Sequence, residues 1–358
     1  MPRKVLPSSL LPRTALLVML AGLLSGPAHA QWTDHRDPSV EAAPGIPLTE
    51  GRFNAALQYH TVWMLLEPVL EYSDITSDEL DAMDRGVLPE QYSQQLAGNQ
   101  EAIADLIAAT KLERCDFGTQ YEKGIGALLP QLAVMRSSAK LLVNDARRLK
   151  GEDMDAAAQR LAATIRLGEH ASRSSIVIGS LVGVAIVDLA RVETLKLLEA
   201  NQLSAEQAGT INKALDRVLT DDPFHTLDSI ETERVLMVSW IKGEFRGESA
   251  GRELVKLMQS AGADGQDDVE WKLNRLNGEQ VAELVGRMSA GYDALIEAWQ
   301  ADDPAAEIAG VERRLIEGEY GILSKYLMPA LGNFKKRTVE SEQNLTLLRR
   351  ELAAVEGG

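Results

Sequence analysis

Asp264-Gly-Gln-Asp267-Asp268-Val-Glu270 crowds four carboxylates into one short stretch, a set of hard oxygen donors that suits Ca²⁺. The spacing is not that of an EF-hand loop. Asp267 or Asp268 serves equally well as the cap of a helix running through Trp271. Glu233-Arg234 is the other charged pair of interest, sitting inside Leu227–Phe245. A buried Arg held by a carboxylate can clamp a ligand or specify a conformation. Adjacent helix positions do not face each other, so the two side chains are expected to find separate partners across helices.

Other chemistries leave no signature. The histidines after the first thirty residues (His35, His60, His170, His225) are far apart, and no His-Glu-x-x-His occurs. No Glu-x-x-His pair supports a di-iron bundle. Gly179-Ser180 lacks the spacing of a nucleophile elbow and falls in mid-helix, and no glycine-rich phosphate loop is present. No catalytic or cofactor-binding residue is named, and no cofactor is expected. Cys115 stands alone, which excludes an internal disulfide. It reads as a small buried hydrophobe, with an intermolecular bridge or a reactive thiol as the alternatives. Trp63, Trp240 and Trp299 lie on apolar helical faces, so Trp271 is the one tryptophan suited to an exposed sugar platform.

The elements that must position these residues are helical. Apolar residues recur at three-four spacing in Leu128, Leu132, Met135, Ala139, Leu142, Ala146 and Leu149. A second stripe runs from Val281 to Trp299 and a third from Leu331 to Val355. Ser204-Ala-Glu-Gln207 and Asn277-Gly-Glu-Gln280 are capping boxes. Asp303-Pro304 sets an N-cap before a proline at the first helical position, and Leu88-Pro89 does so less cleanly. Gly151 separates a helix ending at Leu149 from one over Asp153–Ala171, a link short enough for an antiparallel hairpin. The uncharged run Ser174–Val187, continued by Leu189, Val192, Leu195 and Leu198, predicts one long buried helix, too short in its apolar part to span a membrane. Gly179 and Gly183 in it would admit a neighbouring backbone.

The N-terminus carries an address. Arg3, Lys4 and Arg13 precede the apolar core Ala15–Leu24, and Ala28 and Ala30 stand at −3 and −1 before Gln31. This is the layout of a secretory signal, residues 1–30, cleaved between Ala30 and Gln31. Gln31–Leu48, with Pro38, Pro44 and Pro47, reads as a mobile leader. The formal charge of −16 becomes −19 once the three presequence cations are removed. Such a surface repels phosphate backbones and anionic lipids, which argues against nucleic-acid and membrane-surface binding. Low aromatic content, 5%, with abundant Ala, Leu, Glu and Arg favours helix over sheet.

Asn54-Ala-Ala56, Leu66-Glu-Pro68, Cys115-Asp-Phe117, Tyr121-Glu-Lys-Gly124 and Leu129-Pro-Gln-Leu132 follow one another in order. Arg136, Ala139–Arg148, Gly151, Ala156–His170, Ser180–Ile186 and Glu233-Arg234 continue the series. This order resembles a group of uncharacterised secreted helical proteins of planctomycete-type bacteria, over about Asn54 to Ala353. The resemblance implies export and an all-helical fold, and brings no activity with it.

The expectation is therefore an all-α protein of about ten to twelve antiparallel helices, packed as hairpins in two halves (49–220 and 221–358), with a short superhelical array as a variant. It is periplasmic or secreted, with no membrane span after signal cleavage, and sets no oligomeric state. A non-catalytic envelope protein that binds or scaffolds another protein stands first. The alternative is a helical enzyme or carrier for envelope glycans or lipids, with its site between the halves. Weak metal candidates are Asp264, Asp267, Asp268 and Glu270.

Overall fold

A computed structural model describes residues 53–67, 76–127, 129–260, 267–328 and 331–357. The expected signal, its expected Ala30–Gln31 junction and the expected leader over 31–48 lie outside the described residues. So do Asp264 and the side chains of Asp267 and Asp268.

The fold is all-α: 78% of the structure is helical. Among the described residues the one β-type pairing is an isolated bridge between Asn54 and Arg114. The described residues contain fifteen α-helices: α1 (Ala55–Leu65), α2 (Ser77–Asp84), α3 (Glu90–Gly98), α4 (Gln100–Thr110), α5 (Pro130–Leu149), α6 (Met154–Ser172), α7 (Val177–Glu199), α8 (Ala205–Leu215), α9 (Thr226–Glu244), α10 (Ala250–Ser260), α11 (Asp267–Leu273), α12 (Gly278–Trp299), α13 (Pro304–Glu317), α14 (Gly321–Leu327) and α15 (Leu331–Gly357). The surplus over ten to twelve comes from short helices such as α2, α11 and α14, too brief to show a stripe in sequence.

Two compact units are formed. The larger contains the described residues up to Arg234 together with those from Gly332 onward, and the smaller lies within Val235–Leu331. In the larger unit α5, α6 and α7 pack on one another as successive neighbours. Gly151, at φ +86°, closes α5 in a conformation that glycine adopts freely, and Asp153 then caps α6 by accepting from the Ala156 N–H. The stripe expected on α5 is buried, from Leu132 and Met135 to Ala146 and Leu149. Phe334, Leu345, Leu348 and Leu352 of α15 are likewise buried. Each such aliphatic side chain contributes about 1.5–3 kcal/mol of burial.

The glycines of α7 do admit a backbone, and it belongs to α6. A Cβ on Gly183 would lie 2.6 Å from the Gly168 carbonyl oxygen, and one on Gly168 would lie 2.9 Å from the Gly183 oxygen. The long helix starts later than its uncharged run. Ser175, at φ +52°, turns the chain sharply, and α7 begins at Val177.

Charge is buried here as well. Asp145 of α5 is fully buried and accepts from Arg148 at 2.8 Å, Arg160 at 2.7 Å and Gln100 at 3.1 Å. One helical turn either side of it, Leu142 belongs to a core shared with α1 and α4, and Leu149 to a core shared with α8 and α15. This carboxylate ties α4, α5 and α6 together where the two cores meet.

In the smaller unit, Val281, Val285, Met288, Tyr292 and Leu295 of α12 form the buried stripe. Both capping boxes form, at Ser204–Gln207 and Asn277–Gln280, and Asp303 caps α13 with Pro304 at its first position. Pro89 differs from its expected place: it occupies the N-cap of α3 itself.

Candidate functional site

A dense polar cluster in the larger unit is built on the last two turns of α6. Arg166, Glu169, His170 and Arg173 recur at three-four spacing and therefore share one face. That face is turned into the protein: Glu169 is 3% exposed and His170 is 1% exposed. Two pieces of chain from elsewhere cover it. One is α1, through Tyr59. The other is the strap following α4, through Leu112, Glu113 and Cys115.

Glu169 is held from several sides. Arg173 Nε donates to its Oε1 at 2.5 Å and Arg166 Nη1 to its Oε2 at 3.2 Å, while His170 and His225 each bring Nε2 to 3.8 Å. Burial opposes ionisation of this carboxyl, but His225, His170, Arg173 and Arg166 outweigh that cost and hold it below the ordinary glutamate value. The two arginines also satisfy the strap. Arg166 donates to the carbonyls of Thr110 and Leu112, and Arg173 to that of Glu113. Arg217 pairs with the Glu113 carboxylate at the exposed rim.

His170 has one tautomer. Its Nε2 lies 2.9 Å from the Leu112 carbonyl, which only accepts, so Nε2 carries the proton. Nδ1 is then the acceptor for the Tyr59 hydroxyl at 2.7 Å. Burial pushes the imidazole down to about 4, partly offset by Glu169 and reinforced by Arg166 and Arg173. Burial likewise lifts Tyr59 well above its ordinary value, with Cys115 nearby adding to the effect. The aromatic ring of Tyr59 stacks with Trp63 and Phe117, and Trp63 donates to Ser138 of α5 at 3.0 Å.

His225 reaches Glu169 from a 3-10 turn, Pro223–His225, in which Phe224 and His225 take φ values of +62° and +49°. Each such residue stores on the order of 1–3 kcal/mol. Phe224 is buried and anchors the turn. Asp222 fixes it from the other side, its carboxylate accepting from the N–H groups of Thr226 and Leu227 at the start of α9. Among the described residues, three of the four non-glycine positive-φ residues thus border this cluster, counting Ser175 after Arg173.

Chemically the cluster orients groups more than it activates them. Both nitrogens of His170 are engaged inward, and the Cys115 thiol, half-buried against the aromatic core, is pushed up to about 12 by burial. A thiol held there is not a nucleophile at neutral pH. Cys115 is half-buried, where full burial was expected, and packs beside the core of α1, α4 and α5.

The residues singled out in sequence fall elsewhere. Glu233 accepts from the Val177 N–H at 3.2 Å and so caps α7, a partner across helices, while Arg234 is half-buried. Trp271 is 55% exposed, with the Arg275 guanidinium 3.7 Å over its ring. Glu270 beside it is half-buried. Among the described residues no three His, Cys, Asp or Glu side chains are placed to hold a metal ion. Sequence reasoning missed the Glu169 cluster. Its signal was the charged stripe Arg166, Glu169, His170, Arg173 interleaved with Ala163, Leu167 and Ala171, which looks like a solvated face until α1 and the strap are laid over it.

A second feature is an exposed apolar face. Helix α1 carries apolar residues on both sides: Ala55, Ala56, Tyr59 and Val62 are buried, while Leu57, Met64 and Leu65, with Phe53 just before the helix, are 52–79% exposed, with exposed His60 and Thr61 between Leu57 and Met64 on that outer side. No helix among the described residues is long and apolar enough to cross a membrane. No family model, no curated protein and no solved structure matches the chain.

Proposed function

We propose that this chain is an exported, non-catalytic protein of the cell envelope that docks a polypeptide partner on the outer face of α1. The observation that carries the reading is the second apolar face of that helix, Phe53, Leu57, Met64 and Leu65, left in solvent by the fold. A helix with apolar side chains on both faces ordinarily has both covered. The partner's chemistry follows from charge. At −16, or −19 without the three presequence cations, the chain attracts a polypeptide whose apolar contact residues are rimmed by Lys and Arg, and repels acidic ones.

The test is a photo-reactive amino acid at Met64, irradiated in the native envelope, with a matched probe at exposed Leu347 on α15. A discrete crosslinked product at position 64, absent at 347 and lost in the Leu57→Asp/Leu65→Asp variant, is the expected result. Products of equal yield at both positions, or a product that survives the double variant, overturn the reading.

Trp271 supports a second reading, a glycan contact, through its exposed ring. Quenching of tryptophan fluorescence by soluble envelope glycan fragments, abolished in Trp271→Ala, would favour it over the first.

A further inference from the structure

His170 joins three separate pieces of the larger unit. It belongs to α6, accepts from Tyr59 of α1, and donates to the Leu112 carbonyl of the strap. The other two pieces are also fastened to each other. Ala55 N–H donates to the Arg114 carbonyl at 2.8 Å, and the Asn54 side chain exchanges two hydrogen bonds with the backbone of Asp116 at 2.8 and 2.9 Å. Helix α1 and the strap form one flap, and His170 pins it at two points.

We propose that His170 is an acid-sensitive latch, whose protonation loosens α1 and the 111–118 strap from α6 while the rest of the unit stays folded. The latch stands on this buried geometry and does not depend on what α1 docks.

The surroundings of the closed state disfavour the imidazolium. A second proton can enter only at Nδ1, where it reverses the bond: Nδ1–H then donates to the Tyr59 oxygen, and the buried hydroxyl must turn its own proton away from its present acceptor. The new cation would stand beside Arg166 and Arg173 on its own helix, and their shared counter-charge, Glu169, is already engaged by both. The strap brings Arg114, Asp116, the Cys115 thiol and Glu113, the last paired with Arg217. The 3-10 turn adds His225, which contacts the same Glu169 and faces Asp228 of α9 at 3.9 Å. Glu233 of α9 is committed to Val177. On α1 the other titratable group, His60, is exposed and edge-on to Trp63 and Phe117. The half of α5 antiparallel to this end of α6 adds Arg136 and Lys140, both cationic, and the first eleven residues of α7, Val177–Val187, carry no charge. No unengaged carboxylate in this set faces Nδ1.

With the flap open, His170 regains an ordinary value near 6.5, against about 4 when closed. Opening therefore grows about tenfold per pH unit as pH falls between these limits. Amide hydrogen exchange on the full chain at pH 7, 6 and 5, corrected for intrinsic rates, reads this directly. Exchange in 55–65 and 111–118 should accelerate about tenfold from pH 6 to pH 5 while α8 and α15 stay protected. His170→Gln, whose amide can both donate to Leu112 and accept from Tyr59, should abolish the acceleration, and His225→Gln should retain it. Should His170→Gln not fold, ring NMR of the wild-type histidines replaces it, with Nδ1 of His170 gaining its proton in step with loss of α1 protection. Uniform loss across all helices, unchanged exchange of α1, or an acceleration that persists in His170→Gln overturns the proposal.

Discussion

The Tyr59 hydroxyl lies 2.7 Å from Nδ1 of His170, across 111 residues of sequence and between two fully buried rings. The carbonyl of Leu112 on the far side of the imidazole makes the direction of this bond unambiguous: tyrosine donates and histidine accepts. A neutral histidine is thereby built into the core next to two arginines. The consequences for stability can be measured.

The first concerns acid. The folded chain binds a proton at His170 only near 4, whereas the unfolded chain binds it near 6.5. The contribution is fully present above the unfolded value and is lost as pH falls from about 6.5 to about 4, amounting to roughly 3 kcal/mol for this one group. Glu169, held below its ordinary value, acts in the same direction at still lower pH. Urea denaturation at pH 7 and pH 4.5 should show this loss, and His170→Gln should flatten it.

Gly183 should not tolerate a methyl group. Its Cβ would sit 2.6 Å from the Gly168 carbonyl oxygen and 2.8 Å from Ser172 Cβ, so α6 and α7 must move apart. Gly183→Ala is expected to lower stability by about 3 kcal/mol. Gly286→Ala, on the exposed side of α12 with nothing within 4 Å, should raise it by about 0.5–1 kcal/mol through helix propensity. Denaturant midpoints of the two variants should move in opposite directions.

Asp145 is a buried ion whose loss should be costly. Asp145→Ala leaves Arg148, Arg160 and Gln100 facing a carboxylate-sized gap, and should cost roughly 3–5 kcal/mol. Conversion of Arg160 to Met in the same background should recover part of the loss, because one unpaired buried charge is removed. Calorimetric melting of the single and double variants distinguishes this from simple loss of packing.

Cys115 should be inert in the native state. With its thiol pushed up to about 12, alkylation by iodoacetamide at pH 8 is expected to run roughly a thousandfold slower than for a free cysteine. Mass spectrometry after timed alkylation, with and without urea, reports it. Rapid native modification would mean that the strap is open.

Reading the sequence alone located what is local. The stripes on α5, α12 and α15, both capping boxes, the Gly151 hairpin and the close approach at Gly183 all depend on residues within one or two turns of each other, and the period of the helix makes them visible. Long-range choices were hidden. Nothing within Arg166–Arg173 says whether that charged stripe meets water or Tyr59. Nothing in Pro223-Phe-His225 says that a left-handed turn will aim its imidazole at Glu169. Packing decided both, because a helix face is defined by its own spacing, and whether it becomes core, ion cluster or exposed surface depends on which other face lies across it.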